Sequence, residues 1–207
     1  FRLKLAKIEL DGAADETKAV IEAESLFNSI DPAVISLLDR RDDLEGSDRE
    51  LADAYFVPMC VFLNNFVART ADLVIAGKIT PERATPILAS CDQAELWLAR
   101  LLPNNLDVLD SRARLKLAVG RLDEALEMAR FVISQSEGSY VFNLTLAEIL
   151  LARGDFRGAE KAADYALRFS EFEKSPDSKI LMRLREVIEK CRTQARRDLE
   201  VELEVLA

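Results

Sequence analysis

The side chains that could act as nucleophiles or metal ligands are few and scattered along the chain. There are three cysteines, Cys60, Cys91 and Cys191, and no histidine. Without histidine, neither a Ser–His nor a Cys–His pair can form, and histidine metal sites are excluded. The cysteines lie far apart and show no CxxC spacing, so a zinc site, a thioredoxin-like motif or a disulfide framework is not expected. Cys60 and Cys91 fall in apolar stripes, which indicates buried thiols.

Neighbouring carboxylates are the remaining candidates for acid–base chemistry, for example Asp42-Asp43 and Asp123-Glu124. In an acidic helical protein such pairs are typical of a solvated surface, and a di-metal carboxylate bundle would require Glu-x-x-His. The sequence contains no GxGxxG, P-loop or GxSxG motif. We therefore predict no metal, no cofactor and no catalysis by this chain alone, and leave open that it belongs to a larger enzyme.

The elements that carry these residues are predicted to be helices joined by short loops. Hydrophobic residues make up 49% of the 207 positions and charged residues 31%, which is typical of a folded domain, while only 7 Gly and 6 Pro are present. Asp15, Asp31-Pro32 and Thr80-Pro81 are helix-start signals. Ser47 to Glu50 has the pattern of a capping box, and Pro58 is expected to kink or split the helix that follows.

The charge balance limits the classes of partner. The net charge is −9 and the pI about 4.8, which disfavours nucleic acid and anionic membrane surfaces. We expect no apolar run to reach the roughly 18–20 residues of a membrane span. The longest one is interrupted by polar residues, namely Asn64, Asn65, Arg69 and Asp72. With unpaired cysteines and no visible signal peptide, we expect a cytoplasmic, reducing location. Because the chain starts at Phe1, we also expect a fragment of a longer protein, which leaves an upstream targeting segment open.

The most informative pattern is an internal repeat. Gly120 and Gly154 are 34 positions apart, and the same offset relates Ala113 to Ala147 and Ala125 to Ala159. The segments 113–125 and 147–159 align throughout. A period of 34 residues is that of the tetratricopeptide repeat, in which each unit is a helix–turn–helix hairpin.

Residues 106–170 therefore resemble the tetratricopeptide repeat family. The resemblance implies an all-α fold, a right-handed superhelical array of helical hairpins with a long C-terminal capping helix. It also implies small residues at the turns and helix contacts, which here are Ala113, Gly120, Ala125, Ala147, Gly154 and Ala159. The first helices of stacked hairpins would line a concave face. By register, the predicted partner-binding residues on that face are Asp110, Arg114, Leu117, Leu144, Glu148 and Leu151.

Three segments are predicted to form one continuous unit. They are degenerate hairpins over 1–103, two tetratricopeptide-like repeats over 104–174, and an amphipathic capping helix over 175–207. The predicted function is a non-catalytic scaffold that binds a protein or peptide in the concave groove, with self-association through 175–207 as a further expectation. Two alternatives stay open: an accessory or oligomerisation domain of a larger bacterial-type enzyme or assembly, and a secretion-type chaperone for an apolar client.

Overall fold

The structure, a computed structural model, describes residues 15–136 and 138–206, and the side chains as far as residue 201. This part of the chain consists of nine α-helices and one 3₁₀ turn at Arg41–Asp43. The helices are α1 Glu16–Phe27, α2 Pro32–Asp39, α3 Gly46–Ile75, α4 Pro81–Leu101, α5 Leu106–Ala118, α6 Leu122–Gln135, α7 Tyr140–Ala152, α8 Phe156–Ser170 and α9 Ser178–Leu206. The predicted all-α fold is confirmed. The first 14 residues of the predicted segment 1–103 lie outside the described range.

Most helix starts lie where the local signals predicted them. The Asp15 carboxylate accepts a hydrogen bond from the Lys18 backbone N–H at the start of α1. Asp31 does the same for Ala33, and Pro32 takes the first position of α2. Each cap satisfies a backbone donor that has no partner within its helix.

The predicted start of α3 is wrong. The helix begins at Gly46, its N-terminal cap is Glu45, and no side chain makes a capping hydrogen bond there, so the capping box at Ser47 does not form. Pro58 does not split the helix, because one helix of 30 residues runs through that position; the alternative expectation, a kink at Pro58, stays a prediction.

The chain divides into two compact units, residues 1–118 and residues 119–207. In the first unit, α3 packs against α1, α2, α4 and α5. Its core contains an aromatic cluster, in which the Phe27 ring lies 5.5 Å from the Phe66 ring and 4.9 Å from the Trp97 ring, measured between centroids. The domain boundaries predicted at 103 and 174 stay predictions; helix ends lie close to both, at Leu101 and Ser178.

In the second unit, α7 and α8 form a helical hairpin and α9 packs against both of them, while α6 packs on α7. The hairpin turns at Gly154, whose φ of +79° lies in the left-handed region that favours glycine. Asp155 then caps α8 by accepting a hydrogen bond from the Gly158 N–H at 2.9 Å.

One helix within the described ranges, α3, is long enough and apolar enough to cross a membrane, judged by length and composition alone. The expectation that no segment reaches this length is therefore wrong for α3, because Asn64, Asn65 and Arg69 interrupt the sequence without ending the helix. The core helix of a folded domain passes the same test. Met59, Leu63 and Phe66 of α3 are fully buried, whereas Val57 and Val61 are exposed.

Candidate functional site

The alanines assigned to repeat packing are buried, and their packing role stays a prediction. Ala113, Ala125, Ala147 and Ala159 are all fully buried. Gly120 has a φ of +76° and, like Gly154, provides the sharp turn after a first helix. Alanine at a contact point lets two helix backbones approach closely, so burial at these positions is compatible with the predicted role.

The predicted concave residues of α5 are buried in the first unit. Asp110, Arg114 and Leu117 are each less than a tenth exposed. The Arg114 guanidinium forms an ion pair with Asp72 on α3. Arg114 is therefore already engaged by a carboxylate of its own chain, and it would have to leave this pair before it could bind a partner.

The predicted concave residues of α7 are similarly engaged. Leu144 is fully buried and Leu151 is half-buried. Both carboxylate oxygens of Glu148 accept hydrogen bonds from Arg183 on α9, at 2.6 and 2.7 Å from Nη2. The partner-binding role predicted for the concave residues of α5 and α7 stays a prediction. For Arg114 and Glu148 to take part, their ion pairs with Asp72 and Arg183 must break first.

A row of aromatic side chains, formed by the exposed Tyr165 and Phe172 with the half-buried Phe169 between them, lies at the C-terminal end of α8. The Tyr165 and Phe169 rings are 4.5 Å apart between centroids, and the Phe169 and Phe172 rings 6.2 Å. Phe172 is 83% exposed and Tyr165 42%. Gly138 makes room for this row, because a Cβ at that position would lie 2.7 Å from the Phe169 ring.

Sequence analysis did not identify this aromatic row. The signal was present, since residues 165, 169 and 172 follow the four-then-three spacing of one helix face. It was overlooked because the alanines 159, 163 and 166 already accounted for the buried face of α8.

The cysteines are placed for packing, as predicted for Cys60 and Cys91. All three thiols are free and buried. Burial raises the pKa of Cys60 to about 11 and that of Cys91 to about 12. Burial likewise raises the pKa of Cys191. At neutral pH these groups are protonated thiols, which are poor nucleophiles. Among the described residues, no group of three carboxylate or cysteine side chains could hold a metal ion.

Comparison with protein-family models matches residues 116–167 to a tetratricopeptide repeat family. This segment is similar to a tetratricopeptide repeat. The match runs from the last residues of α5 through α6 and α7 into α8, and it includes both turn glycines. The resemblance predicted from the 34-residue period is thus confirmed. No match is found among curated proteins or among solved structures.

The tetratricopeptide repeat gives a coarse indication of function. Stacked helical hairpins expose extended surfaces that hold other proteins, so the segment indicates a protein–protein interaction scaffold. The aromatic row belongs to the second helix of the matched hairpin and continues just past its end.

Proposed function

We propose that this chain is a non-catalytic scaffold that binds a basic segment of another protein, and that the aromatic row on α8 is the docking surface. The observation that carries the proposal is a row of three adjoining rings whose two outer members are exposed, Phe172 at 83% and Tyr165 at 42%, while the middle ring, Phe169, is half-buried. Large aromatic side chains supply much of the binding energy at protein interfaces because they bury a large area and lose little side-chain entropy.

The predicted concave face is a weaker candidate because its polar side chains are already paired. Arg114 is bound to Asp72 and Glu148 to Arg183. A partner would have to break these ion pairs and replace each one, whereas the aromatic row needs only to lose water. The structure therefore favours the row as the first point of contact.

Charge identifies the chemistry of the partner. The chain carries a net charge of −9, which attracts a basic segment over distances of about a Debye length. Two exposed carboxylates, Glu171 and Glu173, flank Phe172. Aromatic rings also attract arginine and lysine through cation–π contacts. A segment with arginines and apolar residues could contact the rings and the carboxylates together.

Fluorescence anisotropy with two labelled peptides tests this proposal. One peptide contains arginine, leucine and proline, and the other replaces each arginine by glutamate. The intact chain should bind the basic peptide and not the acidic one. Phe172→Ala should weaken binding by roughly tenfold, the effect of removing one aromatic anchor.

Phe131→Ala is the matched control, because Phe131 is also exposed, at 52%, but lies on α6. It should bind the basic peptide as the unmodified chain does. Three results would each overturn the assignment. They are equal binding of both peptides, no binding of either peptide, and an equal loss of affinity for the basic peptide in the two variants.

A further inference from the structure

The last helix is much longer than the hairpin on which it packs. α9 has 29 residues, α8 has 15 and α7 has 13. At a rise of 1.5 Å per residue, their lengths are about 43, 22 and 20 Å. Only part of α9 can therefore be covered by α7 and α8.

Two contacts fix the direction and position of α9. The backbone N–H of Asp177, just before α9, donates to the Tyr140 hydroxyl at the start of α7 at 3.1 Å. At the other end of the contact, Arg192 Nε donates to Glu160 in the second turn of α8 at 3.0 Å. α9 thus runs parallel to α7 and antiparallel to α8. After Arg192, about 21 Å of helix remains, while only about 6 Å of α8 lies before Glu160.

The apolar stripe of α9 continues beyond this contact. Leu184, Ile188 and Cys191 are buried against the hairpin. Ala195 and Leu199 follow at spacings of four on the same face, and both are exposed, Leu199 at 59%. In the sequence, Leu203 and Leu206 follow at spacings of four and three. We call the part of α9 after Arg192 the projecting half. Along its described side chains, the apolar face is open to solvent.

The charges in this half are separated into two blocks. Arg196 and Arg197 come first, and Asp198, Glu200, Glu202 and Glu204 follow. A second copy lying parallel would place like charges beside one another. A second copy lying antiparallel would place each basic block beside an acidic one, which favours that orientation and disfavours the other.

We propose that residues 193–206 form a homodimerisation helix that pairs antiparallel with the same segment of a second chain, with Leu199 close to the two-fold axis. The interface is isologous, since one surface contacts its own copy. Two helical segments of about 21 Å bury a small area, so the dimer is weak, with a dissociation constant roughly in the micromolar range. This surface is separate from the aromatic row and does not depend on the proposed function.

Sedimentation velocity of the complete chain over a range of concentrations tests the proposal. The chain should shift from monomer to dimer as concentration rises. Leu199→Glu should weaken the dimer at least tenfold, because it places a charge at the centre of the interface. Val201→Glu is the matched control, since Val201 is 60% exposed on the opposite face of the same helix, and it should dimerise like the unmodified chain.

Disulfide trapping tests the orientation. A mixture of Arg196→Cys and Glu200→Cys chains should cross-link mainly as the mixed dimer, because antiparallel pairing brings these two positions together. Cross-linking of Arg196→Cys mainly with itself would overturn the antiparallel arrangement. A monomer at every concentration, dimers that survive Leu199→Glu, or a loss of dimers in both glutamate variants would overturn the proposal. Circular dichroism checks that each variant keeps its helices.

Discussion

Arg183 on α9 holds Glu148 on α7 through both carboxylate oxygens. Its Nη2 lies 2.6 Å from Oε1 and 2.7 Å from Oε2, and its Nε lies 2.9 Å from Oε1. The Glu148 side chain is only 12% exposed. A bidentate pair with little access to water is stronger than an exposed ion pair, and it fixes the position of α9 against the middle of α7.

Removal of the arginine should loosen this attachment. Arg183→Ala leaves the Glu148 carboxylate largely buried without its main donor, which should lower the free energy of unfolding by about 1–3 kcal/mol. Urea unfolding followed by circular dichroism measures the change. Arg192→Ala is the control, because its partner Glu160 and Arg192 itself are much more exposed, and it should cause a smaller loss. Equal losses in the two variants would contradict the argument.

A second ion-paired carboxylate lies in the first unit, and its removal should lower the free energy of unfolding more than the removal of Arg183 does. Glu95 on α4 accepts hydrogen bonds from Arg112 Nε at 2.8 Å and from Lys116 Nζ at 2.7 Å, both on α5. The Glu95 and Lys116 side chains are only 7% and 11% exposed. Glu95→Ala would leave the buried ammonium group of Lys116 unpaired. It should therefore lower the free energy of unfolding by about 3–5 kcal/mol.

The single tryptophan, Trp97, lies two residues from Glu95 and reports unfolding of this unit by its fluorescence. Arg100→Ala, on the same helix, breaks a more exposed pair with Asp39 and should change the urea midpoint little. If Glu95→Ala unfolds at the same urea concentration as Arg100→Ala, the buried pair contributes no more than an exposed one.

Local signals were sufficient to predict most helices. Asp15, Asp31 and Pro32 act within their own helix starts, so a sequence window of a few residues contains the whole cause. The repeat was equally accessible, because Gly120 and Gly154 are required by the backbone of the turn. The capping box at Ser47 does not form because α3 begins at Gly46, two residues before the start that a cap at Ser47 predicts.

The partners of the predicted concave residues could not be read from the sequence. Arg114 pairs with Asp72, 42 positions away, and Glu148 with Arg183, 35 positions away. Helical register assigned Arg114 and Glu148 to a face, but register does not say what covers that face. The long-range packing of α3 and α9 decides this, and no local pattern encodes it.

The turn between α7 and α8 gives a third prediction. Gly154 has a φ of +79°, and a Cβ added there would meet no atom within 4 Å. Gly154→Ala should therefore cost only the strain of a left-handed residue, about 1–2 kcal/mol. Gly154→Asn should cost less, because asparagine tolerates this conformation better. Thermal unfolding of both variants checks the order, and a larger loss for asparagine would point to a steric cause instead.

Cys91 predicts how stability depends on alkaline pH. Burial raises its pKa from an ordinary value of 9.0 to about 12. The thiol therefore stays protonated to a higher pH in the native chain than in the unfolded chain. The contribution of this pKa difference to the free energy of unfolding is complete below pH 9. It is lost as pH rises towards 12, by up to about 1.4 kcal/mol per pH unit. Urea unfolding at pH 9 and pH 10, followed by Trp97 fluorescence, should show a larger loss for the unmodified chain than for Cys91→Ala. The cavity left by the substitution lowers stability at both pH values and cancels in this comparison. Equal losses would mean that the Cys91 thiol ionises as readily in the native chain as in the unfolded one.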